Sequence, residues 1–496
     1  MVLKDNILIT VDEQVVARQT PEAQGLLRTF MALVAQLLET LREMRITLAE
    51  LRGTIKSQKL EIERLKQPKK TPRNSSIPPS TQHPHAKPKS DRTPSGTKRG
   101  GQLGHPKHAR ELIPVEACDQ VVELRPETCR KCGAPLDQHA CDLDPLRHQV
   151  WDIPPIQPIV IEYRQQRLLC EKCHVTTCAP LPQDVGSSQA EPKVVATVAV
   201  FLSRFRGSRR LVAEAIDSLF HIPASASWIV KLQDQATELL RPIYDELLAA
   251  LPAQLVVNAD ETPYKQGSLK TWLWTVASKN ITVFALRLTR KDDEIQSLLG
   301  IDFKGTVICD RAKMSLGLSS IQWCWAHLRR DFIELRDMAT SLWELGQELI
   351  DLTDELFSDW HRYREKTLTW EGLQWQISRL KTRVIAALTR GLTSEHSPAS
   401  GRCRSVLSRP EALWQFASEV GVEPTNNAGE RSLRMLVLMR RLTYGTQSET
   451  GSRFVETVQT ILETCRQQGR DPIAFIEDAI TRARQGLPLP SLLCVE

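Results

Sequence analysis

Eight prolines fall between residues 68 and 111, and that stretch constrains everything around it. Proline fixes φ and lacks a backbone donor, so the segment can form neither a helix nor an interior strand. It also has too few apolar side chains to build a core, and is expected to be extended and disordered when free. It carries ten Lys/Arg and two Asp/Glu, a charge of +8. The whole chain is +6, so the remainder is −2 by the same count. Basicity confined to one tract is the pattern of a nucleic-acid-binding arm. A chain of 496 residues interrupted in this way must fold as several units.

Ahead of the arm, apolar residues recur in alternating steps of four and three. They are Phe30, Val34, Leu37, Leu41, Met44, Leu48, Leu51, Ile55, Ile62 and Leu65, with Gln58 the single polar member of the series. A sustained seven-residue period implies a left-handed coiled coil over 30–67, following an N-terminal segment 1–29. Such a coil implies a homo-oligomer. Composition is that of a soluble globular protein, with 41% hydrophobic and 25% charged residues. The longest apolar stretch, "VVATVAVFL", is too short to span a bilayer, and no signal pattern opens the chain. The expectation is a cytoplasmic protein of bacterial style with no membrane partner. Its 12 cysteines then read as thiols or metal ligands rather than disulfides.

Four of those cysteines form two pairs, Cys129-x2-Cys132 and Cys170-x2-Cys173. Between the pairs, "RHQVWDI" and "IVIEYRQQRLL" alternate in the manner of β-strands. Two such pairs at the ends of a hairpin predict a zinc ribbon over 112–182, four thiolates closing a tetrahedral structural Zn²⁺ site. Cys118, Cys141, Cys178 and His174 are nearby spare ligands. Residues 183–254 read as helical, with "HIPASAS" splitting two helices as either a helix-turn-helix or a plain hairpin.

After Pro252 the pattern turns to β. "QLVVNADET", "KTWLWTVAS" and "ITVFALRLT" predict an antiparallel meander, "RKDDEIQSLLG" a helix, and "GTVICD" a fourth strand. The order β-β-β-α-β-α lets the first and fourth strands be neighbours, with Asp260 and Asp310 side by side. Two carboxylates that close repel unless a cation joins them. An all-oxygen donor set favours Mg²⁺ or Mn²⁺, held as a two-metal site with a third acid. Glu430, in "TNNAGERSLRMLVLMRR", is the candidate third acid, with Arg431, Arg434, Arg440 and Arg441 available to phosphates. It reads equally as a helix-terminal acid behind a capping Asn426 or Asn427. Glu261, Asp292, Asp293 and Asp302 are competing acids. Residues from about 329 to 413 are helix-like and read as an insertion. Cys324 and His327 in "CWAH" read as a buried thiol and a histidine opening a helix.

Taken together, "VNADET", "CDRA", "CWAHLRRDF" and "TNNAGERSLRMLVLMRR", with the upstream "NSSIPPS", "KRGGQLGH" and the paired CxxC, resemble transposases of the insertion-sequence-66 family. Many members of that family have Asp-Gly-Tyr where this chain has Asp310, Arg311 and Ala312. The resemblance implies a multidomain α+β protein whose ribonuclease-H-like α/β core spans 255–443. A helical insertion at about 333–420 interrupts that core, and a helical tail, 444–496, follows it. It implies a DDE triad of Asp260, Asp310 and Glu430 that binds Mg²⁺ and cuts and joins DNA strands. The implied partners are terminal inverted repeats, target DNA and helper proteins of the element. A ribonuclease-H-like nuclease without joining activity, and an inactive DNA-binding regulator, are the competing readings.

Overall fold

A computed structural model describes residues 16–66, 110–139, 144–182, 184–186, 188–311 and 317–493. The basic arm lies outside these residues except for its last two, as do Cys141 and Ala312. The chain divides into two compact units, Met1–Gln82 with Gln322–Pro424 and His83–Ile321 with Thr425–Glu496. In the first, helix α1 (Pro21–Lys66) is unbroken. Its 46 residues make a rod of about 69 Å. The seam residues Phe30, Leu37, Leu41, Met44, Leu48, Leu51 and Ile55 are all exposed on it.

The second unit begins with the cysteine pairs. Strand β1 (Arg167–Leu169) pairs antiparallel with β2 (Thr176–Cys178) around the second pair. The strand expected at 147–153 is absent, and of the one expected at 159–169 only Arg167–Leu169 forms, as β1. Period-two alternation says that side chains point two ways, but a strand also needs a neighbouring edge. Residues 144–166 find no ladder among the described residues, and Leu146, Val150, Ile153, Ile159 and Val160 remain exposed. Three helices follow, α2 (Pro192–Ser203), α3 (Arg209–Phe220) and α4 (Ala226–Ala249). The Ser208 and Ser225 hydroxyls cap α3 and α4 by accepting from the N–H groups of Leu211 and Trp228. His221 ends α3 in the left-handed region, which turns the chain between the two helices.

The sheet has the order β5-β4-β3-β6-β7. Strands β3 (Val256–Gln266), β4 (Leu269–Ala277) and β5 (Thr282–Arg287) form the antiparallel meander. After helix α5 (Asp292–Leu299), β6 (Thr306–Cys309) returns parallel to β3, with Asn258 opposite Ile308. Strand β7 (Ser320–Trp323) follows, its first two residues in this unit and the rest in the other. The remaining helices of the first unit are α6 (Trp325–Met338), α7 (Trp343–Arg364), α8 (Trp370–Leu392) and α9 (Ser397–Leu407). Helix α7 packs on α6 and α8, and α9 on α8. Gly346 of α7 lets the helices close, because a Cβ there would meet the Arg336 backbone at 2.5 Å.

The chain re-enters the second unit with α10 (Asn427–Thr443), α11 (Glu449–Gln467) and α12 (Pro472–Arg484). Helix α10 lies on β3 and β4, where Leu433, Leu436 and Met439 share a core with Tyr264, Leu273 and Phe284. Helix α11 packs on β5 and α4. Three of its side chains accept hydrogen bonds from the outer edge of β5. The Thr282 N–H reaches Thr464 Oγ1 at 3.2 Å, Phe284 N–H reaches Thr460 Oγ1 at 3.0 Å, and Leu286 N–H reaches Glu456 Oε1 at 2.7 Å. An exposed edge would be a template for pairing with another chain; here a helix covers it.

Candidate active site

Alternation along β3 puts Asn258, Asp260, Thr262 and Tyr264 on one face of the sheet. Three of these four touch α10 or its cap. The Asn258 amide donates to Asn426 Oδ1 at 3.0 Å, Arg440 Nη1 donates to Thr262 Oγ1 at 2.7 Å, and Tyr264 packs in the core with Leu436. Helix α10 therefore runs alongside β3, with Glu430 in its first turn at the Asn258 end. Asp260 lies on the face that α10 covers.

Asp310 arrives from β6. Its residue number follows from the register, since Asn258 faces Ile308 and the same offset sets Asp260 opposite Asp310, just past the end of β6. Asp310 and Glu430 each offer a carboxylate oxygen within 4.8 Å of the other. All three acids are half-buried. Burial pushes the Asp260 carboxyl well above the usual carboxylate range, and the charges of Asp310, Glu261 and Glu430 push it further. Three acids from segments far apart in sequence thus converge closely enough to repel one another.

Glu261, an acid in competition for the site, points to the other face. Its carboxylate pairs with Arg290 Nη2 at 3.0 Å, and burial still raises it to about 7. Asp293 is exposed at the start of α5. Arg431, Arg434 and Arg441 are exposed on α10. Arg440 differs from the expectation that it binds phosphate: its guanidinium is tied to Thr262 and to the Pro263 carbonyl, and burial lowers its pKa.

The role of Asn426 also differs. It occupies the N-cap position without capping, and its side chain is fully buried. Besides accepting from Asn258, it donates to the Ala259 carbonyl at 2.8 Å. This latch fastens the start of α10 to the strand that carries Asp260. Sequence reasoning missed it, because an asparagine ahead of a helix carries the same signal whether it caps or bridges. In the other unit, Cys324 is the N-cap residue of α6 and His327 lies in its first turn, both buried. His327 Nε2 is 3.0 Å from Arg330 Nη1.

The cysteine pairs form two copies of one turn. Cys129 N–H donates to Ala134 O and Gly133 N–H to Cys129 O, both at 2.9 Å. Cys170 N–H donates to Val175 O at 3.0 Å and His174 N–H to Cys170 O at 2.8 Å. Gly133 and His174, each following the second cysteine, both have positive φ, 73° and 55°. The N–H groups of Lys131 and Cys132 lower the Cys129 thiol, and those of Cys173 and Lys172 lower Cys170. Backbone donors aimed at sulfur favour the thiolate that binds zinc. Each turn brings its own two cysteines together. Among the described residues the two pairs are not gathered into a single four-sulfur group.

A family model described as "Transposase IS66 family" matches residues 188–453, and one described as "zinc-finger binding domain of transposase IS66" matches 126–174. The uncharacterized protein y4qI of Sinorhizobium fredii is 31% identical over 283 residues, 50% of this chain and 51% of that protein. A second protein of that organism, y4hP, is 24% identical over 410 residues, covering 73% of this chain and 72% of its own length. The chain thus spans about half the length of y4qI. More than half of the chain, including the sheet and all three converging acids, lies within the first match, and the chain belongs to the IS66 family of transposases, with a zinc-finger domain ahead of its mixed α/β core.

Proposed function

We propose that this transposase is a DDE enzyme that binds the terminal inverted repeats of its element and catalyses Mg²⁺-dependent DNA strand cleavage and strand transfer. The observation that carries the reading is the convergence of Asp260, Asp310 and Glu430. Such a cluster is costly without a cation. Its hard oxygen donors fit Mg²⁺ or Mn²⁺, and those three residues would hold the ions. Bound there, the metal would supply charge stabilisation to the scissile phosphodiester and the leaving oxygen. The chain's own residues do the rest. The Asn258–Asn426 latch keeps Glu430 against β3, the buried face of the sheet keeps the acids partly shielded from water, and the exposed Arg431 and Arg434 hold phosphates beside Glu430.

The two cysteine turns suit a structural zinc, which Cys129, Cys132, Cys170 and Cys173 would close as a ribbon. The exposed seam of α1 would pair protomers so that two element ends are held together, and the basic tract 68–111 would add phosphate contacts. The test is to incubate purified full-length protein with linear DNA carrying the element ends and Mg²⁺, then map nicks and joined products. Asp260→Ala, Asp310→Ala and Glu430→Ala are each expected to abolish both products while end binding persists, and Asp293→Ala to retain activity. Because the three acids act as one unit, their losses should not add. Nicks without joined products would identify a nuclease instead. Normal cutting by Glu430→Ala would remove Glu430 from the site.

A further inference from the structure

Beyond Asn258, β3 no longer pairs with β6, and β3 and β4 continue as a two-stranded ribbon. One face of this ribbon lies under α10. The other carries three cross-strand pairs in succession: Glu261 with Trp274, Pro263 with Trp272, and Lys265 with Lys270. The tip of this second face is solvent-exposed at Pro263, Lys265 and Lys270. Two lysines directly opposite each other repel and weaken a ladder by roughly 0.2–1 kcal/mol. No ion pair relieves either lysine among the described residues. At the root of the same face, the Arg290 guanidinium lies 4.8 Å from the Trp272 ring centroid and 3.0 Å from Glu261 Oε1. Arg290 is itself exposed, so its cation is held in a fixed position while still open to solvent.

The cations thus run in a line down one face, from the residue beside Asp260 to the hairpin tip. The four residue steps from Glu261 to Lys265 span about 14 Å, close to four steps of a DNA duplex at 3.4 Å per strand. The ribbon is also held rigid. Gly267 N–H donates to Thr446 O at 2.8 Å, Thr446 N–H donates to Lys265 O at 2.9 Å, and Gly445, with φ of 107°, sits where a Cβ would strike the Lys265 carbonyl. Two lysines held opposite each other on a braced, exposed strand pair favour an anionic partner.

We infer that the solvent-facing side of the β3–β4 ribbon, through Lys265, Lys270 and Arg290, binds the phosphate backbone of DNA on the face of the sheet opposite α10. This rests on the proposed DNA-cutting function, but its test is independent of cutting. Full-length zinc-loaded protein is titrated against a fluorescein-labelled linear duplex of unrelated sequence in buffer without Mg²⁺ or Mn²⁺, by anisotropy over a series of salt concentrations. Lys265→Gln with Lys270→Gln should make the plot of log affinity against log salt shallower by about 2, and Arg290→Gln by about 1 more. Lys265→Glu separates binding from folding. It should create a favourable pair with Lys270, keep or raise the melting temperature, and still weaken DNA binding. A wild-type salt slope in the double variant, or a Lys265→Glu protein that loses stability and binding together, would overturn the inference. Loss of cutting in Asp260→Ala reads the catalytic proposal alone, since binding is measured here without Mg²⁺ or Mn²⁺.

Discussion

Asn426 ties the two best-separated parts of the site together with two side-chain hydrogen bonds. Replacing it with alanine would leave the Asn258 amide and the Ala259 carbonyl short of a partner in a buried place. The expected loss is about 1–3 kcal/mol by chemical denaturation. Activity should fall by more than the folded fraction does, because Glu430 would lose its hold on β3. Asp260 gives a second prediction, with a definite sign. Its folded pKa lies above the ordinary value of 3.8. A raised carboxyl costs nothing where it is protonated in both states, and stability is lost as pH rises through the folded value. Without added Mg²⁺, Asp260→Asn should therefore match the wild type at low pH and become the more stable protein as pH rises. Glu261, raised from 4.5 to about 7, slopes the same way in both proteins. Mg²⁺ should reverse the order, since a metal at a hundred times its dissociation constant adds about 2.7 kcal/mol to the chain that still binds it. A thermal melt with and without Mg²⁺ reads this directly; an equal shift in both proteins would remove Asp260 from the metal site.

At the scale of elements, helix α11 shows how polarity can serve a buried surface. Glu456, Thr460 and Thr464 recur every four residues and face the edge of β5. Glu456 also pairs with Arg241 at 3.5 Å, and burial raises its pKa despite that partner. Thr460→Val keeps the volume but strips the acceptor from the Phe284 N–H, so it should destabilise by about 1–3 kcal/mol rather than gain from the added methyl. From sequence alone this stripe is indistinguishable from a solvated helix face, because periodicity records spacing and not what lies opposite. The β-meander could be read because its strands alternate and their turns are short. Asp260 and Asp310 could be read because each ends an apolar run. Glu430 stood out through its motif, while the Asn258–Asn426 latch and the diversion of Arg440 to Thr262 depend on contacts that local pattern does not encode. The strand expected at 147–153, and all but the last three residues of the one expected at 159–169, failed for the complementary reason: alternation was present and a partner edge was not.

At the scale of the whole molecule, α1 presents its apolar seam to solvent over most of its length. If that seam pairs protomers, Leu41→Glu with Leu48→Glu should lower the oligomeric state in sedimentation and leave DNA cutting by the remaining chain to be measured separately. The unit that carries the acids is itself discontinuous, since Gln322–Pro424 intervenes between β6 and α10. This has a consequence for how the protein is made. Phe284 and the threonine hydroxyl that covers its N–H are 176 residues apart. At about 5–20 residues per second, roughly 9–35 s of translation separate them. For most of that interval the nascent sheet has Asp260 and Asp310 and an unsealed outer strand. An element copy truncated by a stop codon before Thr460 would leave that strand open for good, so its product should be lost to aggregation or proteolysis rather than persist as a competitor of the full-length transposase.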